Sequence, residues 1–107
     1  MVRSDFDQVI YVVITTEVDK KTACKLAILL LKEKLSPCVN FKNIESYFWW
    51  EGEINKSEEI QLIMKCKEKN INKVCQKISD YHSYEVPEII YFPVSVNKEY
   101  HHWVDSF

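Results

Sequence analysis

Cys38-Val39-Asn40-Phe41-Lys42-Asn43-Ile44-Glu45-Ser46-Tyr47-Phe48-Trp49-Trp50, followed by Glu51-Gly52-Glu53, is the stretch on which the fold of this 107-residue chain depends. It is rich in strand formers, free of glycine and proline, and closed by the only glycine in the chain. That glycine predicts a tight turn. The return strand is equally plain, with Ile60, Leu62, Met64 and Cys66 alternating with Gln61, Ile63 and Lys65. Thirteen extended residues reach about 43 Å at about 3.3 Å each, well past the usual strand of about five or six residues. Such a ribbon protrudes beyond its own sheet. Its end carries Tyr47, Phe48, Trp49 and Trp50, an aromatic surface prone to aggregation unless a partner covers it. The expected partner is another copy of the chain, which makes the hairpin an assembly device.

Working outward, residues 9–14 form a β-branched and aromatic run that reads as a strand covered on both faces. Asp19 can cap a helix whose positions Ala23, Leu26, Ala27, Leu30 and Leu31 share one face. Ser36-Pro37 is the expected stop. After the hairpin, Ile71, Val74, Cys75 and Ile78 line one face of a second helix, with Asn70 or Asn72 as its cap. Residues 89–94 read as a fourth strand, and Pro93 favours a position at the sheet edge or strand end. Tyr100, Trp103, Val104 and Phe107 have the spacing of a short closing helix. The order βαβ–βαβ predicts an α+β, ferredoxin-like sandwich with a long protruding hairpin, in one domain over residues 1–107.

Composition excludes several classes of function. Fourteen basic and sixteen acidic side chains give a net charge of -2, with neither the basic patch of a nucleic-acid binder nor the polybasic cluster of a membrane binder. Tyr47, Trp49 and Trp50 could stack on bases, but their charged neighbours are Glu45, Glu51 and Glu53, so interface packing is the better reading. The start of the chain does not read as a secretory signal and no apolar run is long enough to cross a bilayer, so the expected address is the cytoplasm. Cys24, Cys38, Cys66 and Cys75 contain no C-x-x-C pair and read as free thiols inside regular elements. One glycine leaves no phosphate loop, and no nucleophile–histidine–acid order stands out, so an enzyme is not expected. The sole arginine, Arg3, cannot build an arginine-centred phosphate loop from its place at the start.

His82-Ser83-Tyr84-Glu85-Val86-Pro87-Glu88 gathers an imidazole, a phenol and two carboxylates at a junction between helix and strand. His82, with Glu85 or Glu88 brought near it by the turn, is the candidate metal site, since imidazole suits copper and zinc. The alternative is that these groups lock the corner by hydrogen bonds to backbone or tyrosine. His101 and His102 point about 100° apart on a helix and cannot easily share an ion. Glu51, Glu53, Glu58 and Glu59 could attract a hard cation or form a solvated edge beside the hairpin.

Four blocks together resemble the CutA family, named for tolerance to divalent cations. They are Thr22-Ala23 with Ala27 leading to Cys38-Val39-Asn40; Ser46, Trp50, Gly52 and Ile54 with Glu58 and Glu59; His82, Tyr84-Glu85-Val86-Pro87-Glu88-Ile89; and Tyr100 with Trp103. The resemblance runs from about Val12 to Trp103. It implies a tight homotrimer joined through the hairpins, similar to PII signal proteins, with Tyr47, Phe48, Trp49, Trp50 and Tyr84 at the subunit boundary. It further implies a role in metal tolerance, with copper(II) or another divalent cation as ligand and none required for folding. Animal members are associated with anchoring of acetylcholinesterase, so the other reading is a PII-like scaffold that binds a small molecule or a protein in clefts between subunits. Three positions depart from the family pattern: Ser83 where proline is usual, Phe48 where tyrosine is frequent, and Thr15 where some bacterial members carry a cysteine proposed to bind metal. Without that thiolate, a copper site here depends on nitrogen and oxygen donors.

Overall fold

The computed structural model describes residues 4–107, and Arg3 lies outside them. β1 (Gln8–Glu17), α1 (Lys20–Lys32), β2 (Cys38–Trp50), β3 (Glu53–Cys66), α2 (Ile71–Tyr81), β4 (Ile90–Val96) and α3 (Lys98–Asp105) follow one another in the βαββαβ order with a closing helix. The four strands form one antiparallel sheet in the order β2-β3-β1-β4, the ferredoxin-like arrangement expected from the sequence. Pro93 lies on β4, an edge strand, where its missing N–H costs no ladder bond on the open side.

The hairpin is longer than the return strand predicted from residues 60–66. β2 and β3 pair continuously from Cys38↔Lys65 to Trp50↔Glu53. Glu51 and Gly52 turn the chain with φ of 52° and 79°, the pair of left-handed residues that a two-residue hairpin demands. Four large side chains at its end remain exposed: Tyr47 at 67%, Trp49 at 71%, Phe48 at 40% and Trp50 at 42%.

α1 and α2 cover one face of the sheet. Val13, Leu62, Met64 and Cys66 meet Leu26, Leu30, Val74 and Ile78 there, all buried. Each such aliphatic side chain contributes roughly 1.5–3 kcal/mol. The other face is covered only in part. α3 packs on β1 and β3, and both Ile10 and Val104 are buried, whereas Val12 and Ile14 stay half-buried and Ile90 is 47% exposed. The two-sided cover predicted for β1 is therefore incomplete within one chain.

Asp19 caps α1 as expected, its carboxylate accepting from the Thr22 N–H at 2.8 Å. The stop differs. α1 ends at Lys32, and Lys34 reverses the chain with φ of 57° before Ser36-Pro37 is reached. Its neighbours close the end by backbone bonds, Leu35 N–H reaching Leu30 O at 3.0 Å. Asn70 stands at the N-cap of α2, as expected, but its side chain makes no capping bond. A short 3-10 turn, Glu68–Asn70, leads into the helix, and the Asn70 amide instead donates to Leu35 O at 3.3 Å, tying the two helix ends together.

The bond from Thr22 holds the Asp19 carboxyl below its ordinary value of 3.8, which gives a testable pH dependence. The stability that Asp19 contributes is fully present above that ordinary value and is lost as pH falls through the lowered one. The stability gap between wild type and Asp19→Ala in urea titrations is expected to be constant near neutrality and to close in acid. A Gly52→Ala variant is expected to lose about 1 kcal/mol, because the left-handed turn strains any residue with a Cβ while nothing lies within 4 Å to compensate.

Candidate functional site at the end of β1

β1 outruns β4. Their pairing stops at Ile14↔Ile90, while β1 continues beside β3 to Glu17↔Ile60. The strip Thr15-Thr16-Glu17 is taken up by the turn over residues 82–88, which leaves the end of α2 and leads to β4. Alternation sends Thr15 and Glu17 to the helix side with Val13, and Thr16 to the other side with its partner Gln61.

Glu17 has no exposed surface. A carboxylate taken out of water must find donors inside the chain, and Glu17 finds three. The Val18 N–H reaches Oε1 at 3.0 Å, the Ser83 N–H reaches Oε2 at 3.1 Å, and the Ser83 hydroxyl closes on Oε1. A proline at position 83 would supply neither of the last two donors.

His82 is just as deep, with no exposed side-chain surface. The Tyr84 N–H donates to Nδ1 at 3.0 Å, which assigns the ring proton to Nε2. Nε2 then faces Thr16 O at 2.5 Å and Thr15 Oγ1 at 3.2 Å. The carboxylate that lies beside His82 is Glu17, 3.7 Å from Nδ1, rather than the Glu85 or Glu88 suggested by spacing. Thr15, His82 and Glu17 thus lie in the order of a nucleophile, base and acid. Thr15 is fully buried, and Nδ1 spends its lone pair on Tyr84, so the row acts as a lock. Among the described residues no three His, Cys, Asp or Glu side chains are grouped to hold a metal ion within one chain.

The next residue carries the lock across the strand. Tyr84 rests on the imidazole at 4.9 Å and its hydroxyl donates to Glu59 Oε2 at 2.6 Å. Burial, and then this bond to Glu59, push the Tyr84 phenol above its ordinary value. Behind this bond opens a cleft of about 940 Å³, between the hairpin and the turn. Ile44, Phe48, Trp50, Glu59, Tyr84 and Glu88 are among the residues that line it, with Glu85 and Glu45. Glu85 and Glu88 are exposed there.

Sequence reasoning found His82 and Tyr84 but missed Glu17 and Glu59 as members of one network. The available signal was the alternation Val13, Thr15, Glu17, which continues the buried face of β1 to an acidic end. Elsewhere, the thiols of Cys24, Cys38, Cys66 and Cys75 are free as read, and burial raises Cys66 to about 12.

The profile of the CutA1 divalent ion tolerance protein family matches residues 11–106. The divalent-cation tolerance protein CutA of Pyrococcus horikoshii is 36% identical over 94 residues, covering 87% of this chain and 92% of that one. The structure of the periplasmic divalent cation tolerance protein CutA from Archaeoglobus fulgidus superposes with a TM-score of 0.86 at 32% identity, covering 92% of this chain and 97% of that one. The PII-like protein CutA from Nostoc, in apo form, gives 0.84 at 28% identity, covering 90% and 94%.

Truncating Glu17 strands the Val18 N–H and both donors of Ser83. Glu17→Ala is expected to cost about 3 kcal/mol in denaturant unfolding, from three bonds to a charged group lost at once and a cavity left where Glu17 is fully buried. Glu85→Ala, on the exposed side of the same turn, is expected to change stability by less than about 0.5 kcal/mol.

Proposed function

The chain belongs to the CutA1 family of divalent ion tolerance proteins, and from that membership we propose that it works as a homotrimer that binds divalent metal, copper(II) first, in metal tolerance. The observation that carries the assembly is the exposed aromatic end of the hairpin, Tyr47, Phe48, Trp49 and Trp50. A surface of that kind, on a strand pair extending past its sheet, calls for cover by a neighbour. The half-covered outer face of β1 and β4 offers further surface for it. Tyr84, lining the cleft beside these rings, then lies near the subunit boundary.

Metal binding is supported by the acidic cleft. Glu85 and Glu88 present exposed carboxylates to it, and oxygen donors accept Cu²⁺ as the strongest binder of the divalent series. His82 would have to surrender its bond to Thr16 or to Tyr84 before binding a metal. With Thr15 in place of a cysteine, its neighbour supplies a hydroxyl and no thiolate. We therefore assign His82 to the frame and Glu85 and Glu88 to the ion, with the neighbouring subunit completing the shell. The metal is not needed for folding, since the core and the lock close within the chain.

The second reading is a PII-like scaffold that takes a small molecule or a protein in the clefts between subunits. It is supported by the cleft itself, bounded by the turn and the hairpin. Among the described residues no helix is long and apolar enough to cross a membrane. Four free thiols agree with a cytoplasmic address, which cell fractionation would test.

Light scattering is expected to give about three times the chain mass of 12.8 kDa, and Trp49→Glu with Trp50→Glu to lower it toward that of one chain. A mass of one chain for the wild type would overturn the assembly. In calorimetric titrations with Cu²⁺, Glu85→Gln with Glu88→Gln is expected to weaken binding by about tenfold or more. His82→Ala is expected to lower stability while leaving the Cu²⁺ affinity nearly unchanged; the reverse pattern would make His82 the ligand.

A further inference from the structure

Glu59 is left with an unusual imbalance. It is 8% exposed, yet among the described residues its carboxylate accepts one hydrogen bond, from a neutral phenol, Tyr84 to Oε2. Among the described residues it has no ion pair, the lysine pairs being Lys56 with Glu45 and Lys77 with Glu33. No fully buried side-chain oxygen among the described residues lacks a partner, so the unbonded Oε1 keeps some exposed surface, and Glu59 lines the cleft. A carboxylate this deep, with one oxygen free and no cation of its own, needs a positive charge from outside.

The rest of the cleft says what kind. No lysine, arginine or histidine lines it. Its acidic groups are Glu45, Glu59, Glu85 and Glu88, and of these Glu45 alone is met by a lysine, Lys56 at 3.6 Å from outside the lining. Aromatic rings supply the other wall. On β2, Phe48 and Trp50 fall on the same side as Ile44 and Ser46, the side that pairs across to Glu59. Tyr84 closes the end. Ring faces are poor ligands for a metal ion but attract an ammonium group, whose N–H donors suit a single carboxylate oxygen.

We infer that this cleft binds a small organic ammonium ion, an aliphatic diamine or polyamine, with Glu59 as anchor and Phe48, Trp50 and Tyr84 as the aromatic wall. Glu85 and Glu88 stand along the rim to meet a second amine. The inference shares the cleft and the Glu85 and Glu88 carboxylates with the metal reading but rests on Glu59 and the rings; copper binding without amine binding would leave that reading intact. Where a neighbour covers the hairpin end, the ligand sits at the subunit boundary. Tyr47 and Trp49 also border the cleft, so a neighbour packed on the hairpin end would narrow it.

The test is a titration of the native oligomer with spermidine, followed by calorimetry and by tryptophan fluorescence, with light scattering on the same samples. Saturable binding with a fluorescence change is expected. Glu59→Gln, which still accepts from Tyr84, and Trp50→Leu are each expected to weaken it by about tenfold or more. Mg²⁺ at equal charge concentration is expected to leave it bound. Absence of binding, unchanged affinity in either variant, or displacement by Mg²⁺ as in simple screening would overturn the inference. If Glu59→Gln does not fold, Trp50→Leu and the Mg²⁺ competition decide.

Discussion

A carboxylate with no exposed surface has to be satisfied from within the chain, and the Glu17 carboxylate organises everything around it. Its three donors come from the end of β1 and from Ser83 at the head of the turn, so it joins two segments 66 residues apart. Once Ser83 is held, His82 is placed on Thr16 and the Tyr84 backbone on His82. Tyr84 then reaches Glu59 on β3. The cleft exists because this relay pulls the turn over the end of β1 and toward the hairpin.

The arrangement separates framework from surface within seven residues. His82, Ser83 and Tyr84 spend their polar groups inside the chain, whereas Glu85 and Glu88 keep theirs for whatever enters the cleft. Ser83 shows what a single side chain contributes to the turn. A proline at this place would stiffen the turn but donate nothing to Glu17. Serine gives up that stiffness and supplies two donors, a local exchange of backbone restraint for hydrogen bonding.

Much of the fold was legible because its signals are local. The strand formers of β2, the alternation in β3, the cap at Asp19 and the glycine turn each follow from a few neighbouring residues. The same locality explains the misses. Thr15-Thr16-Glu17 carries no apolar signal, so the β-branched run ends at Ile14; pairing with β3 is what extends the strand. α1 stops before its proline because Lys34 adopts a left-handed conformation closed by Leu35, a geometry no residue type there announces. Asn70 serves a carbonyl 35 residues away instead of its own helix. The candidate site was half legible on the same grounds. The residues of the turn stand together in the sequence, but their partners Glu17 and Glu59 come from strands that only the sheet brings near.

Hydrogen exchange at the amides of residues 83 and 84 tests the central relay most directly. Both lie in an irregular turn beside exposed residues, where free amides exchange quickly. Held by Glu17 and by His82, the Ser83 and Tyr84 amides are expected to exchange as slowly as those of the β1–β3 ladder, while the Glu85 amide exchanges fast. Fast exchange at all three positions in a folded sample would contradict the account.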